Sequence, residues 1–449
     1  MTLPLQLANS DVRNDFNREI SAEHLISDIL QTVFEFCLES ERGFAFSNDP
    51  DYNPWQQAPF NISQVCRSWR KISLSHSILW SKFTISCEPS LPLSRNLHTG
   101  LALWLHRSGT NPLDFTYNLE KLQKGVTESD YENAIGLLMG SCDRWRTVDF
   151  NAPFELTLGG PYLLRVPQVE KLKLRAHRNV IVDLRYSKQL QDLSLDLCSS
   201  AAAAGPKHII DGVFPNLRCC KLFIYPDNSG GWLRLRPCLQ NIFSSSPLID
   251  LNVAFGIGGT APPLLESSVF LPHLLSFKII CTPSTAVSFL TAITTPKLQH
   301  LDIFIFGGED HASYALMEFI ERSRPPLNTL NIYDHQDNLQ VSREIQILSP
   351  IPNLKKLRLD CKLPLSFIES LTFSKDPDIP CLCPSLEDIQ LIQWEALDEG
   401  TSKALVNMVI SRWRRADRTL KKIRVQKFEG EDNMKEIATC KSEGLVVVT

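Results

Sequence analysis

The sequence predicts an α/β protein in which a small all-helical segment is followed by an irregular solenoid with a parallel sheet on its concave face. The first observation is apolar residues at helical spacing in segments 25–38 and 59–86. The second is a short apolar motif, L-x-x-L-x-L with substitutions, that recurs from Trp145 to Phe428. The third is helix-like sequence between successive copies of the motif, so that strands and helices alternate.

Composition limits the classes of function. The chain has 449 residues, 43% of them hydrophobic and 21% charged, which is ordinary for a globular protein with two or three domains. A net charge of −4 disfavours nucleic-acid binding as the main activity. Thirteen cysteines, an odd number placed mostly in apolar runs, predict a reducing compartment, so cytoplasm and/or nucleus. The absence of a signal sequence and of a run of about 18 apolar residues predicts no secretion and no membrane span.

The helical segment carries more apolar surface than it can cover by itself. Segment 25–38 predicts a helix that is apolar on more than one side. Residues from Ile62 to Ile72 predict one amphipathic helix around Trp69, and a turn then leads to an apolar cluster at Trp80. One side of the first helix can meet the Trp69 helix. The other side needs cover, either from the rest of the chain or from another protein.

Three sequence blocks in this segment occur in a recognisable order. They are L-x-x-[DE]-I-L-x-x-[IV]-F-x-x-C-L from Leu25, S-Q-V-C-R-x-W-R from Ser63 and L-W-S from Leu79. This order resembles the F-box, and it is similar in particular to the F-box of the large families of mushroom-forming fungi. The sequence departs from that family at Ile26-Ser27, where the family usually has Pro-Pro, and by an insertion at 39–57.

The resemblance implies a substrate-recruiting adaptor of a Skp-cullin-F-box ubiquitin ligase. The F-box binds the Skp adaptor and through it a cullin ligase, and the repeats recruit a target protein that the sequence does not identify. Catalysis belongs to the partner enzyme, because this chain supplies proximity. The residues implied to line the Skp contact or to hold it in shape are Leu25, Ile29, Leu30, Phe34, Val65, Cys66, Trp69, Leu79 and Trp80. Which of them face outward is left open by the sequence.

The domain limits follow from the resemblance, from the recurring motif and, for the lead-in and the insertion, from composition. The sequence predicts a flexible lead-in at 1–20, the F-box at 21–88 and a leucine-rich-repeat-like domain at 100–449. The insertion at 39–57 has the glycine, proline and acidic content of a loop. It also contains more aromatic residues than a linker needs, and these either pack back onto the helices or dock a partner: Phe44, Phe46, Tyr52 and Trp55.

The recurring motif predicts one structural unit per copy. Copies begin at Trp145, Val169, Leu190, Leu217, Leu248, Leu274, Leu298, Leu327, Leu354, Leu386 and Leu420. Their spacing is mostly within or just above the roughly 20 to 29 residues of leucine-rich repeats. The second half of each motif alternates apolar and polar residues, as strands do, and a proline precedes most copies, which suits the start of a strand. The repeats are degenerate, because at the ninth motif position, where Asn or Cys is usual, several copies carry other residues.

Helix-like sequence connects the predicted strands. The pieces are YENAIGLLMGSC, LQNIFSSS, AVSFLTAI, YALMEFIERS, LSFIESL and KALVNMVISRW. A strand, a turn and a helix in each repeat build a curved solenoid. A doubly wound α/β domain stays open as an alternative, because strand–helix alternation also suits that class.

The sequence predicts no enzyme, no metal site and no cofactor. The glycine-rich stretch 256–261 lacks the Gly-Lys-Ser/Thr of a phosphate-binding loop. Cys381 and Cys383 lack paired C-x-x-C spacing, and no G-x-S-x-G motif occurs. The basic run 412–424 is interpreted as a cationic helix C-terminus rather than a nucleic-acid site. The other function left open is a repeat scaffold outside any ligase, which binds a protein or nucleic acid through its concave face.

Overall fold

A computed structural model of the chain describes residues 27–39, 44–47, 56–86, 97–118, 128–151, 162–176, 180–198, 213–225, 239–256, 268–306, 312–334, 347–361, 364–374, 380–392, 399–415, 419–425 and 431–448. The chain divides into two compact units, Met1–Gly160 and Pro161–Thr449. The sequence places its domain boundary earlier, between 88 and 100. The boundary in the structure is later because the first unit also contains the strands Leu113–Asn118 and Trp145–Asn151.

The first unit combines helices with a parallel sheet. Its helices are α1 (Ser27–Glu39), α2 (Phe60–Ser63), α3 (Arg67–Ser75), α4 (Leu97–Arg107) and α5 (Glu128–Met139), with 3-10 turns at Ser77–Trp80 and Cys142–Arg144. Its strands are β1 (Phe44–Ser47), β2 (Lys82–Ser86), β3 (Leu113–Asn118) and β4 (Trp145–Asn151). The strands pair in parallel and in chain order.

Two sequence predictions for this unit are wrong. The insertion at 39–57 is not all loop, because it contains β1, and the segment 21–88 is not all-helical, because it contains β1 and β2. The Phe46 ring lies 6.1 Å from the Phe83 ring and 5.5 Å from the Trp104 ring. Phe46 therefore packs back onto the unit. Phe44 and Phe46 alternate with small residues, which is a strand pattern. The pattern is short, and the glycine, proline and acidic residues around it make the insertion as a whole resemble a loop. Tyr52 and Trp55 lie outside the described residues, as does the lead-in at 1–20.

An aromatic row joins the helices and the sheet of this unit into one core. The Trp80 ring lies 4.7 Å from the Trp104 ring, and Trp104 lies 6.3 Å from Phe83. Phe83 stacks on Phe115 at 5.3 Å, and Phe115 meets the edge of Trp145 at 5.3 Å. All five side chains are buried. Each ring pair adds about 0.5–1.5 kcal/mol beyond the burial of its area.

The sequence predicts that α4 ends at Gly109, and the structure places the end of α4 at Arg107. Gly109 has φ +58°, and its N–H donates to the His106 carbonyl at 3.2 Å. A Cβ at this position would meet only Ser77 Cβ, at 3.8 Å. Space is therefore available, and a substitution is opposed by the left-handed backbone alone.

Gly109→Ala is expected to lower the free energy of unfolding by about 1 kcal/mol, the usual cost of an L-residue in the left-handed region. Urea denaturation followed by circular dichroism measures the change. Gly136→Ala is the matched control, because Gly136 lies inside α5 and a Cβ added there would meet nothing within 4 Å apart from its chain neighbours and the backbone of its own helix. There alanine is expected to stabilise by about 0.5–1 kcal/mol. Equal shifts in the two variants would contradict the assignment.

The second unit is built from many short strands. They are β5 (Tyr162–Arg165), β6 (Lys171–Ala176), β7 (Val180–Asp183), β8 (Asp192–Cys198), β9 (Cys219–Tyr225), β10 (Asp250–Phe255), β11 (Val269–Phe270), β12 (Ser276–Cys281), β13 (Ile293–Thr294), β14 (His300–Ile305), β15 (Thr329–Asp334), β16 (Lys356–Asp360), β17 (Asp388–Ile392), β18 (Lys422–Val425) and β19 (Val446–Val448). Its helices are α6 (Pro283–Ala292), α7 (Ala312–Ser323), α8 (Leu365–Ser370), α9 (Glu399–Trp413) and α10 (Glu431–Ser442), and residues 239–245 are also helical.

The strand order of this unit is that of a solenoid. The main sheet runs β6-β8-β9-β10-β12-β14-β15-β16-β17-β18-β19, and the neighbouring strands are parallel. Two short parallel pairs, β5 with β7 and β11 with β13, lie apart from it. A doubly wound sheet reverses its order at a switch point. The order of the described strands contains no reversal, so it disfavours that alternative and supports a solenoid-like α/β architecture.

The recurring motif fixes the start of strands β8, β9, β10, β12 and β14 to β18 in the main sheet. The carbonyl of Ile249 accepts from the N–H groups of both Leu275 and Ser276, at 2.9 and 3.1 Å. One repeat later, the carbonyl of Leu275 accepts from Gln299 and His300, at 2.9 and 3.0 Å. The same doubly accepting carbonyl recurs at Glu170, Gln191, Arg218, Asn328, Lys355 and Glu387, and at Gln299. The predicted repeat register is therefore confirmed in the described part of this unit.

The predicted connecting helices are confirmed as well. The six helix-like pieces fall in α5, in residues 239–245 and in α6, α7, α8 and α9.

Within the ranges given above, no helix has the length and apolar character needed to cross a bilayer.

Candidate protein-docking site

Helix α1 has a buried apolar face. Leu30, Phe34 and Leu38 recur at i, i+4 and i+8, and all three are buried. The Phe34 ring meets the half-buried Trp69 ring edge-on, with 4.9 Å between centroids. This confirms that one side of the first helix contacts the Trp69 helix. Leu30 and Phe34 thus belong to the core of the first unit.

A second apolar face of α1 is exposed to solvent. Ile29, Val33 and Phe36 recur at i, i+4 and i+7, and their side chains are 48%, 41% and 64% exposed. This spacing places them on one side of the helix, turned away from the buried face. We call these three residues the α1 stripe. Burying a side chain of this size is worth about 1.5–3 kcal/mol, so the stripe leaves several kcal/mol of apolar burial unused.

The next predicted block does not form one helix. The apolar residues from Ile62 to Ile72 are divided between α2 and α3. Cys66 lies between these two helices and has an extended backbone, with φ −156°. Its Sγ accepts from the Trp69 N–H at 3.4 Å, so Cys66 caps α3. The prediction of a continuous amphipathic helix is wrong, because apolar periodicity alone does not show that a side chain is capping. Val65, beside this cap, is 56% exposed.

A polar contact also ties α1 to the end of α3. His76 Nε2 lies 2.8 Å from Glu35 Oε1, and His76 is the residue that follows α3. Trp80 Nε1 donates to the Ser73 carbonyl at 2.9 Å, and the Arg107 guanidinium lies 4.4 Å above the Trp80 ring. These contacts hold the turn that carries Leu79 and Trp80 against the core.

The structure separates the residues implied by the resemblance into three groups. Ile29 and Val65 are exposed, Cys66 and Trp69 are half-buried, and Leu30, Phe34, Leu79 and Trp80 are buried. Leu25 lies outside the described residues. The sequence prediction of contact residues omitted Val33 and Phe36, although their spacing from Ile29 was visible as a second apolar face. It also omitted Leu74 and Ile78, which are 38% and 42% exposed.

The described residues were compared with the requirements of a metal site and of a reactive thiol. Within the described ranges, no group of three or more His, Cys, Asp or Glu side chains could hold a metal ion. Burial raises the pKa of Cys383 to about 12, and burial also raises the pKa of Cys381. A thiol with a raised pKa is a poor nucleophile at neutral pH.

The basic run 412–424 is not simply a cationic surface at a helix end. Arg412 is fully buried at the last turn of α9, and burial lowers the pKa of its guanidinium. Its Nε donates to the Leu371 carbonyl at 2.7 Å, and its Nη2 donates to the Leu382 carbonyl at 2.8 Å. Arg412 therefore binds backbone carbonyls of the neighbouring repeat. The sequence interpretation placed Arg412 at a cationic helix C-terminus, and the structure adds that its guanidinium is buried rather than exposed.

Two comparisons, with family models and with curated proteins, give no match for this chain. No family model matches it. A search of the curated proteins also finds no match. The case for a function therefore depends on the three sequence blocks and on the geometry of α1 to α3.

Proposed function

We propose that the chain is a substrate-recruiting adaptor of a Skp-cullin-F-box ubiquitin ligase. In this proposal the α1 stripe and Val65 bind the Skp adaptor, and the repeats of the second unit bind the target. The observation that carries the proposal is the α1 stripe, because it is an exposed apolar face on the helix whose sequence resembles the first block of the F-box. The resemblance supplies the identity of the partner.

The stripe suits a helix-in-groove contact. Such contacts place apolar anchors at i, i+3 or i+4 and i+7 of one helix, and Ile29, Val33 and Phe36 have this spacing. Phe36 is the most exposed of the three and is the natural central anchor. The opposite face is held by Phe34 against Trp69, so the stripe is presented on a helix already fixed in place. A preorganised face loses less conformational entropy on binding.

The chain acts in this proposal by bringing two proteins together. Proximity is sufficient for this role when the partner ligase performs the chemistry. Holding a target near the ligase raises its effective concentration. The role therefore requires two separate binding surfaces, one in each unit.

Calorimetric titration of the intact chain with purified Skp adaptor tests the proposal. We expect a dissociation constant of about 1 µM or lower, which corresponds to about 8 kcal/mol. We also expect a negative heat-capacity change, because apolar side chains leave water. A complete lack of binding by folded protein would refute the adaptor role and would favour a repeat scaffold that works outside any ligase.

A further inference from the structure

We propose that the outward face of the main sheet in the second unit, around Phe304 and Tyr333, binds an extended acidic peptide segment with an apolar side chain at its centre. Describing this peptide as part of a ligase target rests on the proposed function, whereas the binding itself does not. The inference is carried by an aromatic pair, by two cations that form no ion pair with a carboxylate of the described residues, and by the charge of the face.

The aromatic pair lies on neighbouring strands. Phe304 of β14 is in register with Tyr333 of β15, and their rings stack with 3.7 Å between centroids and 9° between planes. Both are half-buried on the side of the sheet opposite the buried Ile303 and Ile332. Strand residues alternate between faces, so the pair forms a flat apolar platform on the outward face.

A cation lies over each ring of the pair. Lys278 Nζ is 4.7 Å from the Phe304 centroid, and Arg358 Cζ is 4.6 Å from the Tyr333 centroid. Neither Lys278 nor Arg358 has an ion pair with any carboxylate of the described chain. The Arg358 Nε is buried and has no hydrogen-bond partner there. A ligand carboxylate can form a charge-assisted hydrogen bond with the ammonium of Lys278 or with the guanidinium of Arg358.

Two acidic residues lie on outward positions beside the platform. Asp302 lies in register between Lys278 and Asn331, and it accepts a hydrogen bond from Asn331 Nδ2 at 2.5 Å. Asp360, next to Tyr333 in register, is buried. The Asp302 carboxylate is therefore engaged by a neutral amide, and the Asp360 carboxylate is removed from solvent. Both cations stay available to the carboxylates of a ligand.

The outward face as a whole is positive. Its basic residues are Lys171, Lys173, Arg175, Lys221, Lys278, Lys356, Arg358, Lys422 and Arg424. Its acidic residues are Asp192, Asp196, Asp250, Asp302, Asp360 and Asp388. Nine basic against six acidic side chains give a formal charge of +3, whereas the whole chain carries −4. Charge complementarity therefore favours an acidic partner.

The spacing of the cations defines the peptide. Lys278 on β12 and Arg358 on β16 are separated by three strand intervals, or about 14 Å at roughly 4.8 Å per interval. An extended peptide rises about 3.3 Å per residue, so about four residues span this distance. Residues i, i+2 and i+4 of such a peptide share one face. The platform thus fits an acid at i, an apolar residue at i+2 and a second acid at i+4.

Fluorescence anisotropy with the full chain tests the inference. The probe is a short fluorescein-labelled peptide with glutamate at i and i+4, tryptophan at i+2 and serine elsewhere. We expect it to bind with an affinity that falls as salt is added. The variant Lys278→Gln, Arg358→Gln is expected to bind about tenfold more weakly, the effect of losing roughly one charge-assisted hydrogen bond. A peptide of the same composition with adjacent glutamates is expected to bind more weakly to the wild-type chain.

The control variant is Lys297→Gln, Lys403→Gln, which removes the same charge from exposed positions away from the sheet face. It is expected to bind the probe as the wild type does. Equal loss in both variants, no binding by the wild-type chain, or binding only when phosphoserine replaces glutamate would each overturn the inference. Calorimetry with the Skp adaptor separates the two proposals, because the Lys278, Arg358 variant is expected to retain wild-type affinity for the adaptor.

Discussion

The variant Ile29→Asp, Phe36→Asp is expected to weaken binding of the Skp adaptor by about a thousandfold. Both side chains are exposed in the free protein, so their loss leaves no cavity in the core. Two apolar anchors at the centre of an interface are each worth about 2 kcal/mol or more, and 4 kcal/mol corresponds to roughly a thousandfold in affinity. Calorimetric titration measures the affinity, and far-ultraviolet circular dichroism checks that the variant is folded.

A matched control distinguishes the stripe from exposed apolar surface in general. Leu103→Asp with Phe270→Asp also replaces two exposed apolar side chains by aspartate, at 47% and 62% exposure, outside α1. This control is expected to bind the adaptor as the wild type does. Wild-type affinity in the stripe variant, or an equal loss in the control, would contradict the assignment.

Substitution of a buried residue in the segment that resembles the F-box is a less informative test. Leu30 is fully buried, and Leu30→Ala is expected to cost about 2–5 kcal/mol of stability through the cavity it leaves. Loss of adaptor binding in that variant would follow from unfolding of α1 as readily as from loss of contact. The exposed stripe therefore carries the test of function.

Arg412→Ala is expected to lower the free energy of unfolding by about 3–5 kcal/mol, the effect of breaking a buried charged network. The guanidinium of Arg412 donates to the carbonyls of Leu371, Leu382 and Cys383, at 2.7, 2.8 and 3.1 Å. It also lies 5.2 Å from the centre of the Phe373 ring. Alanine leaves these buried carbonyls without this donor. Urea denaturation of the full chain measures the change.

Arg414→Ala is the matched control directly after the end of the same helix. Arg414 is exposed, and its guanidinium lies 3.5 Å from the carboxylate of Glu436, which is also exposed. A surface ion pair of this kind contributes about 0–1 kcal/mol. A loss of stability in Arg412→Ala no larger than in Arg414→Ala would show that the buried guanidinium does not tie α9 to the neighbouring repeat.

The sequence by itself determined the repeat architecture of the second unit. Each copy of the motif places a leucine or valine two residues before a strand, and the same turn hydrogen bond recurs, as from Leu298 N–H to the Thr295 carbonyl at 3.3 Å. Local spacing is sufficient here, because every repeat contacts mainly its neighbours and a solenoid repeats one local structure. The connecting helices were predictable for the same reason.

Only the tertiary structure decided which apolar face of α1 is core and which is exposed. Leu30 and Ile29 are adjacent in sequence and alike in chemistry. The face that carries Leu30 is buried, because Phe34 on that face contacts Trp69, whereas the face that carries Ile29 is exposed to solvent. Periodicity identifies apolar faces but does not identify what covers them. The capping role of Cys66 and the burial of Arg412 have the same origin, since each depends on backbone groups that are brought near only when the chain has folded.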